Sequence, residues 1–160
     1  MREKWIVEAK KGDFNGLSAK LKVSPLAVRC LMNRGVESEQ EMRSFLYGTL
    51  DDLHDPFTMK GMNEAVQEIV QAREQGRKVA IASDFDCDGI FSAYILWKGF
   101  QRIGLDSEIF TPDRVKEGYG LNRRIVDEAL AGGRDFLVTC DNGIAAESEI
   151  AYAKEMGMTV

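Results

Sequence analysis

Four consecutive apolar residues, Val79-Ala80-Ile81-Ala82, stand just ahead of the acidic run Asp84-Phe85-Asp86-Cys87-Asp88-Gly89. So short an apolar block suits a strand buried on both faces, because a strand with one wet face would alternate apolar and polar residues. Such a strand needs a sheet covered above and below, and the flanking segments supply the covers.

Asn63 is positioned to cap a helix that carries Ala65, Val66, Ile69, Val70 and Ala72 and stops at Gly76. After the acidic run a helix is expected from about Ile90 to Ile103, ending at Gly104. Glu108-Ile109-Phe110-Thr111 reads as a second strand closed by Pro112. A helix opening at Asn122 and broken by Gly132-Gly133 follows, and Phe136-Leu137-Val138-Thr139-Cys140 is a third strand. The last helix is expected from about Glu147 to Met156. Alternating strands and helices imply right-handed crossovers and a parallel sheet, giving a three-layer, Rossmann-like α/β fold. Met158-Thr159-Val160 reads as the opening of a fourth strand, so the chain is expected to be a truncated piece of that domain.

Residues 1–62 read instead as a helical segment with clear punctuation. Ser24-Pro25 is an N-cap followed by proline at the first helical position, with Gly35 closing that element. Ser38 and Glu41 have capping-box spacing, and Gly48 ends their helix. Leu53-His54-Asp55-Pro56-Phe57 is loop-like, since proline pushes its predecessor out of helical geometry. Two parts are expected: 1–62, helical, and 63–160, α/β.

Composition narrows the function classes. The 160 residues are 44% hydrophobic and 29% charged, which suits a globular core and not disorder. A formal charge of -5 gives no overall attraction to nucleic acid or anionic lipid, so any nucleic-acid contact must be local or metal-mediated. No apolar run approaches the roughly 20 residues of a membrane span. Met1-Arg2-Glu3-Lys4-Trp5 leads into no apolar signal core, so a cytoplasmic location without a membrane partner is expected. The three cysteines, Cys30, Cys87 and Cys140, are far apart and form no Cys-x-x-Cys pair, which argues against zinc and disulfide frameworks.

The chemistry gathers at strand ends. In an open parallel sheet ligands bind beyond the carboxyl ends of the strands. Asp84, Asp86 and Asp88 follow the first strand, and Asp141 follows the third with Asn142-Gly143 behind it. Neighbouring strands lie about 4.8 Å apart, so carboxylates at adjacent ends are able to share a cation or straddle two ions. Clustered carboxylates repel one another unless a cation offsets them, and all-oxygen donors suit Mg²⁺ or Mn²⁺. Gly89 allows the backbone to approach a ligand, and the helix behind it aims N–H groups at an anion.

Three acidic-loop chemistries compete. The opening matches an EF-hand loop, but the twelfth position, which needs a bidentate glutamate, is Ile95. A haloacid-dehalogenase-like phosphatase would use Asp86 as nucleophile and Asp88 as acid, leaving Asp84 and the Asp141-Asn142-Gly143 turn without purpose. The third is a two-metal phosphoesterase.

Ala82-Ser83-Asp84-Phe85-Asp86-Cys87-Asp88-Gly89 resembles the first motif of the DHH phosphoesterases, and Val138-Thr139-Cys140-Asp141-Asn142-Gly143-Ile144 resembles their second. Within that superfamily, further segments are similar to the RecJ-type single-stranded-DNA exonucleases. These are Val23-Ser24-Pro25-Leu26, Asn33-Arg34-Gly35, Leu53 to Phe57, Pro112-Asp113-Arg114 and Glu117-Gly118-Tyr119-Gly120-Leu121. The resemblance implies Asp86, Asp88 and Asp141 as metal ligands, with Asp84 either ligating or orienting a ligand. It implies nucleic-acid contacts at Arg114, Gly118, Tyr119, Gly120 and Asn142, Arg114 meeting a phosphate and Tyr119 packing on a sugar or base. Arg123 and Arg124 read as a solvated helix start. The implied activity is two-metal, Mn²⁺- or Mg²⁺-dependent, 5′-to-3′ hydrolysis of single-stranded DNA in recombination and repair, in company with other repair proteins. The Asp-His-His motif is absent, His54 being the only histidine, so these 160 residues alone are expected to be inactive. Alternatives are a DHH-type phosphodiesterase for short oligonucleotides or cyclic dinucleotides, and a non-catalytic interaction module.

Overall fold

The computed structural model describes residues 4–6 and 10–160; residues 1–3 and 7–9, which enter the reading of the N-terminal leader, lie outside the described residues. The chain divides into two compact units, Met1–Met59 and Lys60–Val160.

The first unit is helical. Helices α1 (Phe14–Leu21), α2 (Pro25–Asn33) and α3 (Glu39–Tyr47) are followed by single 3-10 turns at Leu50–Asp52 and Pro56–Thr58. Each helix starts on a side chain that satisfies an otherwise free backbone N–H: Asp13 for α1, Ser24 for α2 and Ser38 for α3. At α3 the capping box is complete, with the Glu41 carboxylate accepting from the Ser38 N–H at 2.9 Å. The apolar faces meet in a cluster of Leu21, Val28, Leu31, Met32 and Met42.

The second unit is the expected layered α/β structure. Its elements are α4 (Met62–Glu74), β1 (Val79–Ala82), α5 (Cys87–Arg102), β2 (Ser107–Phe110), α6 (Arg123–Ala131), β3 (Phe136–Thr139) and α7 (Glu147–Glu155). The strands form one parallel sheet in the order β2-β1-β3, with β1 fully buried in the middle. Its alternate residues serve opposite faces. Val79 and Ile81 pack with Ala72 of α4 and with Ala93 and Phe100 of α5. Ala80 and Ala82 pack with Ile125, Val126 and Ala129 of α6 and Ala153 of α7. Burying Val79 and Ile81 contributes about 1.5–3 kcal/mol each, which makes the apolar block the centre of the unit. Thr159 pairs in parallel with Phe136 on the far side of β3, so the Met158-Thr159-Val160 segment does continue the sheet.

Two helix starts differ from expectation. Asn63 does not cap α4: the helix begins at Met62 behind Gly61, whose positive φ of 80° makes the entry turn without a side-chain cap. Helix α5 begins at Cys87, not near Ile90, because Asp86 itself is the N-cap and draws the acidic run into the first turn.

Candidate metal centre and the loop above it

Strand order reverses around β1, since the chain leaves it through α5 to reach β2 on one side and returns through α6 to β3 on the other. Such a switch point opens a crevice at the carboxyl ends of the strands. Ala82 pairs with Thr139, so Asp84 and Asp141, each two residues further on, leave adjacent strands at the same level. The ladder holds them there: Cys140 N–H donates to the Ala82 carbonyl at 3.0 Å, and Ser83 N–H to Phe110 at 3.0 Å.

Asp84, Asp86 and Asp141 each bring a carboxylate oxygen within 4.8 Å of the others. Asp84 is fully buried, and neither of its oxygens has a hydrogen-bond partner among the described residues. An ionised carboxylate in that position is costly without a compensating charge. The neighbouring compensation is Arg114, 57% exposed, whose Nη1 lies 3.6 Å from Asp84 Oδ2 while its guanidinium stacks 4.5 Å over the Phe85 ring. Asp86 accepts from Gly89 N–H at 3.2 Å. That backbone bond is the main reason its carboxyl is held below the usual aspartate range, with Asp88 and Asp141 adding hydrogen bonds. Asp141 is pushed the other way, first by desolvation and then by the charges of Asp88 and Asp86. The two shifts run in opposite directions, and the mutual repulsion behind the second is what a shared cation would offset. Three oxygen donors, one of them buried and unsatisfied, fit a hard divalent ion.

Asp88 stands apart. Placed at the second position of α5 by the Asp86 cap, it is exposed and lies outside the group of three, while Asp84, given only a conditional role by the sequence, lies inside it. Gly89 is buried beneath them, and a Cβ there would come within 2.5 Å of the Asp84 carbonyl oxygen and 3.0 Å of Asp141 Oδ2. The helix therefore approaches the cluster more closely than any side chain permits.

The segment between β2 and α6 passes over these strand ends, touching Asp84 through Arg114 and Asp141 through Tyr119. Glu117 braces it by accepting from Asp113 N–H at 2.7 Å and pairing with the Arg124 guanidinium, whose Nη2 lies 2.7 Å from Oε2. These contacts, Arg124 first, hold the Glu117 carboxyl at about 2. Arg124 also bonds Glu128 at 2.7 Å and the Thr111 carbonyl, and Arg123 stacks on Tyr152, so neither arginine is a free solvated charge. The residues with implied nucleic-acid roles are grouped here. Tyr119, Gly120 and Asn142 line a cleft of about 300 Å³ reaching to Glu149, and Gly118 and Gly120 adopt the positive φ values of 83° and 89° that the loop requires. Both amide atoms of Asn142 are buried without a partner among the described residues. The sequence missed the Glu117–Arg124 brace, although an acid and a base flanking a glycine-rich loop were visible.

The fold and the acidic crevice together define an α/β domain with a carboxylate cluster fit for a divalent ion at its switch point. Residues 78–160 match the model of the DHH family, N-terminal domain, and the chain belongs to that family. It is 35% identical over 158 residues to the single-stranded-DNA-specific exonuclease RecJ of Bacillus subtilis, covering 98% of this chain and 20% of that protein. It is 32% identical over 138 residues to the protein of that name from Escherichia coli, covering 85% and 23%. Among solved structures, an exonuclease RecJ bound to manganese superposes with a TM-score of 0.58 at 34% identity, over 62% of this chain and 26% of that one. RecJ from Thermus thermophilus, in complex with Mn²⁺, gives 0.58 at 26% identity, over 91% and 19%. The chain thus spans about a fifth of the length of the relatives it matches. No helix among the described residues is long and apolar enough to cross a membrane.

Proposed function

We propose that this chain supplies the carboxylate wall of a metal-dependent exonuclease that hydrolyses single-stranded DNA from the 5′ end, acting in recombination and repair in the cytoplasm. The observation that carries the reading is the fully buried Asp84, its oxygens unpartnered, beside Asp86 and Asp141 at the mouth of a parallel-sheet switch point. These three would hold Mn²⁺ or Mg²⁺, and Asp88, two residues beyond Asp86 in the first turn of α5, would act through Asp86 or on the outer side of the site. A bound ion would supply a water of lowered pKa and offset charge on the phosphoryl oxygens. The protein's own contribution is placement. Gly89 N–H fixes the Asp86 carboxyl and holds it below the usual aspartate range. Arg114, more than half exposed and held over Phe85, offers a charged fork to a DNA phosphate at the rim. Tyr119, Gly120 and Asn142 line the cleft along which the strand would run, with the exposed Tyr119 as a surface for a sugar or base.

The test is to express the complete reading frame that encodes this chain and follow 5′-labelled single strands with Mn²⁺ present. Degradation that vanishes in Asp86→Asn and Asp141→Asn supports the reading. Wild-type rates in both variants, or equal action on duplex ends, would sink it.

A further inference from the structure

Asp141 is one of two non-glycine residues with positive φ among the described residues, at 61°. Aspartate tolerates that left-handed conformation better than most residues, but it still needs surrounding contacts to hold it. On the strand side the restraint is the Cys140 bond to β1. Beyond it the chain bends again at Gly143, with φ of 96°, where a Cβ would meet Thr139 Oγ1 at 2.5 Å. Between these two turns the peptide following Asp141 is held by a hydrogen bond from outside its own loop. The Tyr119 hydroxyl donates to the Asp141 carbonyl at 2.6 Å.

We infer that Tyr119 is a positioning residue whose hydroxyl fixes the peptide of Asp141, and so aims the Asp141 carboxylate at Asp84 and Asp86. The inference deepens the proposed function and rests on it for the identity of the ion. Its basis is a link between two loops that the sequence separates by 22 residues. The donor is pre-set. Its loop is tied down on its N-terminal side, where Glu117 holds both Arg124 and the Asp113 N–H. A phenol hydroxyl carries its proton at neutral pH and is free to donate it to a carbonyl. Tyr119 as a whole stays 63% exposed. Hydroxyl and ring therefore have separable roles: the first orients a ligand, the second faces whatever enters the cleft.

The experiment compares wild type, Tyr119→Phe and Tyr119→Leu in the 160-residue chain, reading the Asp141 carbonyl ¹³C resonance without metal and Mn²⁺ affinity by paramagnetic broadening. The side chain being largely exposed, both variants should fold, with thermal midpoints lowered alike by about a few degrees for the one hydrogen bond lost. Loss of one neutral hydrogen bond predicts that Phe and Leu each weaken Mn²⁺ about two- to tenfold, and alike, while the Asp141 carbonyl resonance moves. Overturning results are an unmoved carbonyl resonance in Tyr119→Phe, or a Tyr119→Phe variant that binds Mn²⁺ like wild type while Tyr119→Leu does not. If wild type binds no Mn²⁺ yet the carbonyl resonance moves in Tyr119→Phe, the positioning contact is supported and the metal reading fails.

Discussion

Two glycines on one helix should respond to alanine with opposite signs. Gly89 lies in the first turn of α5, where an added Cβ would come within 2.5 Å of the Asp84 carbonyl oxygen and 2.8 Å of its carbon. Both are backbone atoms at the end of the central strand and have nowhere to retreat. Overpacking of this kind costs about 1–3 kcal/mol. Displacing α5 also loosens the Asp86 cap, worth about 1 kcal/mol. Against these stands the gain of about 0.5–1 kcal/mol from replacing a helical glycine. The net loss for Gly89→Ala is about 1–3 kcal/mol. At Gly99, on the same helix, nothing lies within 4 Å of the added methyl, so only the gain applies and Gly99→Ala should stabilise by about 0.5–1 kcal/mol. Urea unfolding followed by Trp97, the tryptophan of the Lys60–Val160 unit, reads both. With a slope of about 1 kcal/mol/M for a unit of this size, the midpoint should fall by about 1–3 M for Gly89→Ala and rise by about 0.5–1 M for Gly99→Ala. Gly89→Ala should also weaken Mn²⁺, because the methyl would press on Asp141 Oδ2 at 3.0 Å. A Gly89→Ala chain as stable as wild type would refute the close approach of α5 to the end of β1.

Asp84→Asn removes a buried carboxylate that accepts no hydrogen bond among the described residues and meets only the half-exposed Arg114 at 3.6 Å, while keeping the side chain's shape, so it should raise the thermal midpoint without metal and abolish the further rise that Mn²⁺ produces in wild type. A lower midpoint without metal would mean that Arg114 already compensates Asp84. Glu117 is held at about 2 against an ordinary 4.5, so its contribution to stability is present above 4.5 and is lost as pH falls through about 2. A ¹³C titration should show its carboxyl returning toward 4.5 in Arg124→Gln, and no movement would exclude Arg124 as the main cause. Ser38→Ala breaks the capping box of α3 and should cost the helical unit about 1 kcal/mol by circular dichroism in urea.

The central strand is legible because a doubly buried strand has no other way to be written than as an unbroken apolar block, and the three helices after it are marked by Gly104, by Asn122 with Gly132-Gly133, and by Gly157. What sequence leaves open are ends set by competing uses of one residue. Asp86 is a ligand by its motif and an N-cap by its spacing to Gly89, and a reading that takes only the first starts α5 three residues late. Asn63 is a good cap by type, but Gly61 turns the chain first.

The inner geometry of the site is hidden for a different reason. Alternation along Asp84, Asp86 and Asp88 makes the three equivalent on paper, and only the early start of α5 separates the buried Asp84 from the exposed Asp88. The pairing of Asp84 with Asp141 depends on the register of Ala82 against Thr139, a property of two strands far apart along the chain. The Tyr119 and Arg114 contacts depend on a loop from the far edge strand crossing the sheet end. Which residue types gather at the site follows from local sequence, because strands must end somewhere and acids were placed at those ends. Which carboxylate faces which follows from register and from where a helix begins, and a one-residue slip in either would leave the same motifs unable to share an ion.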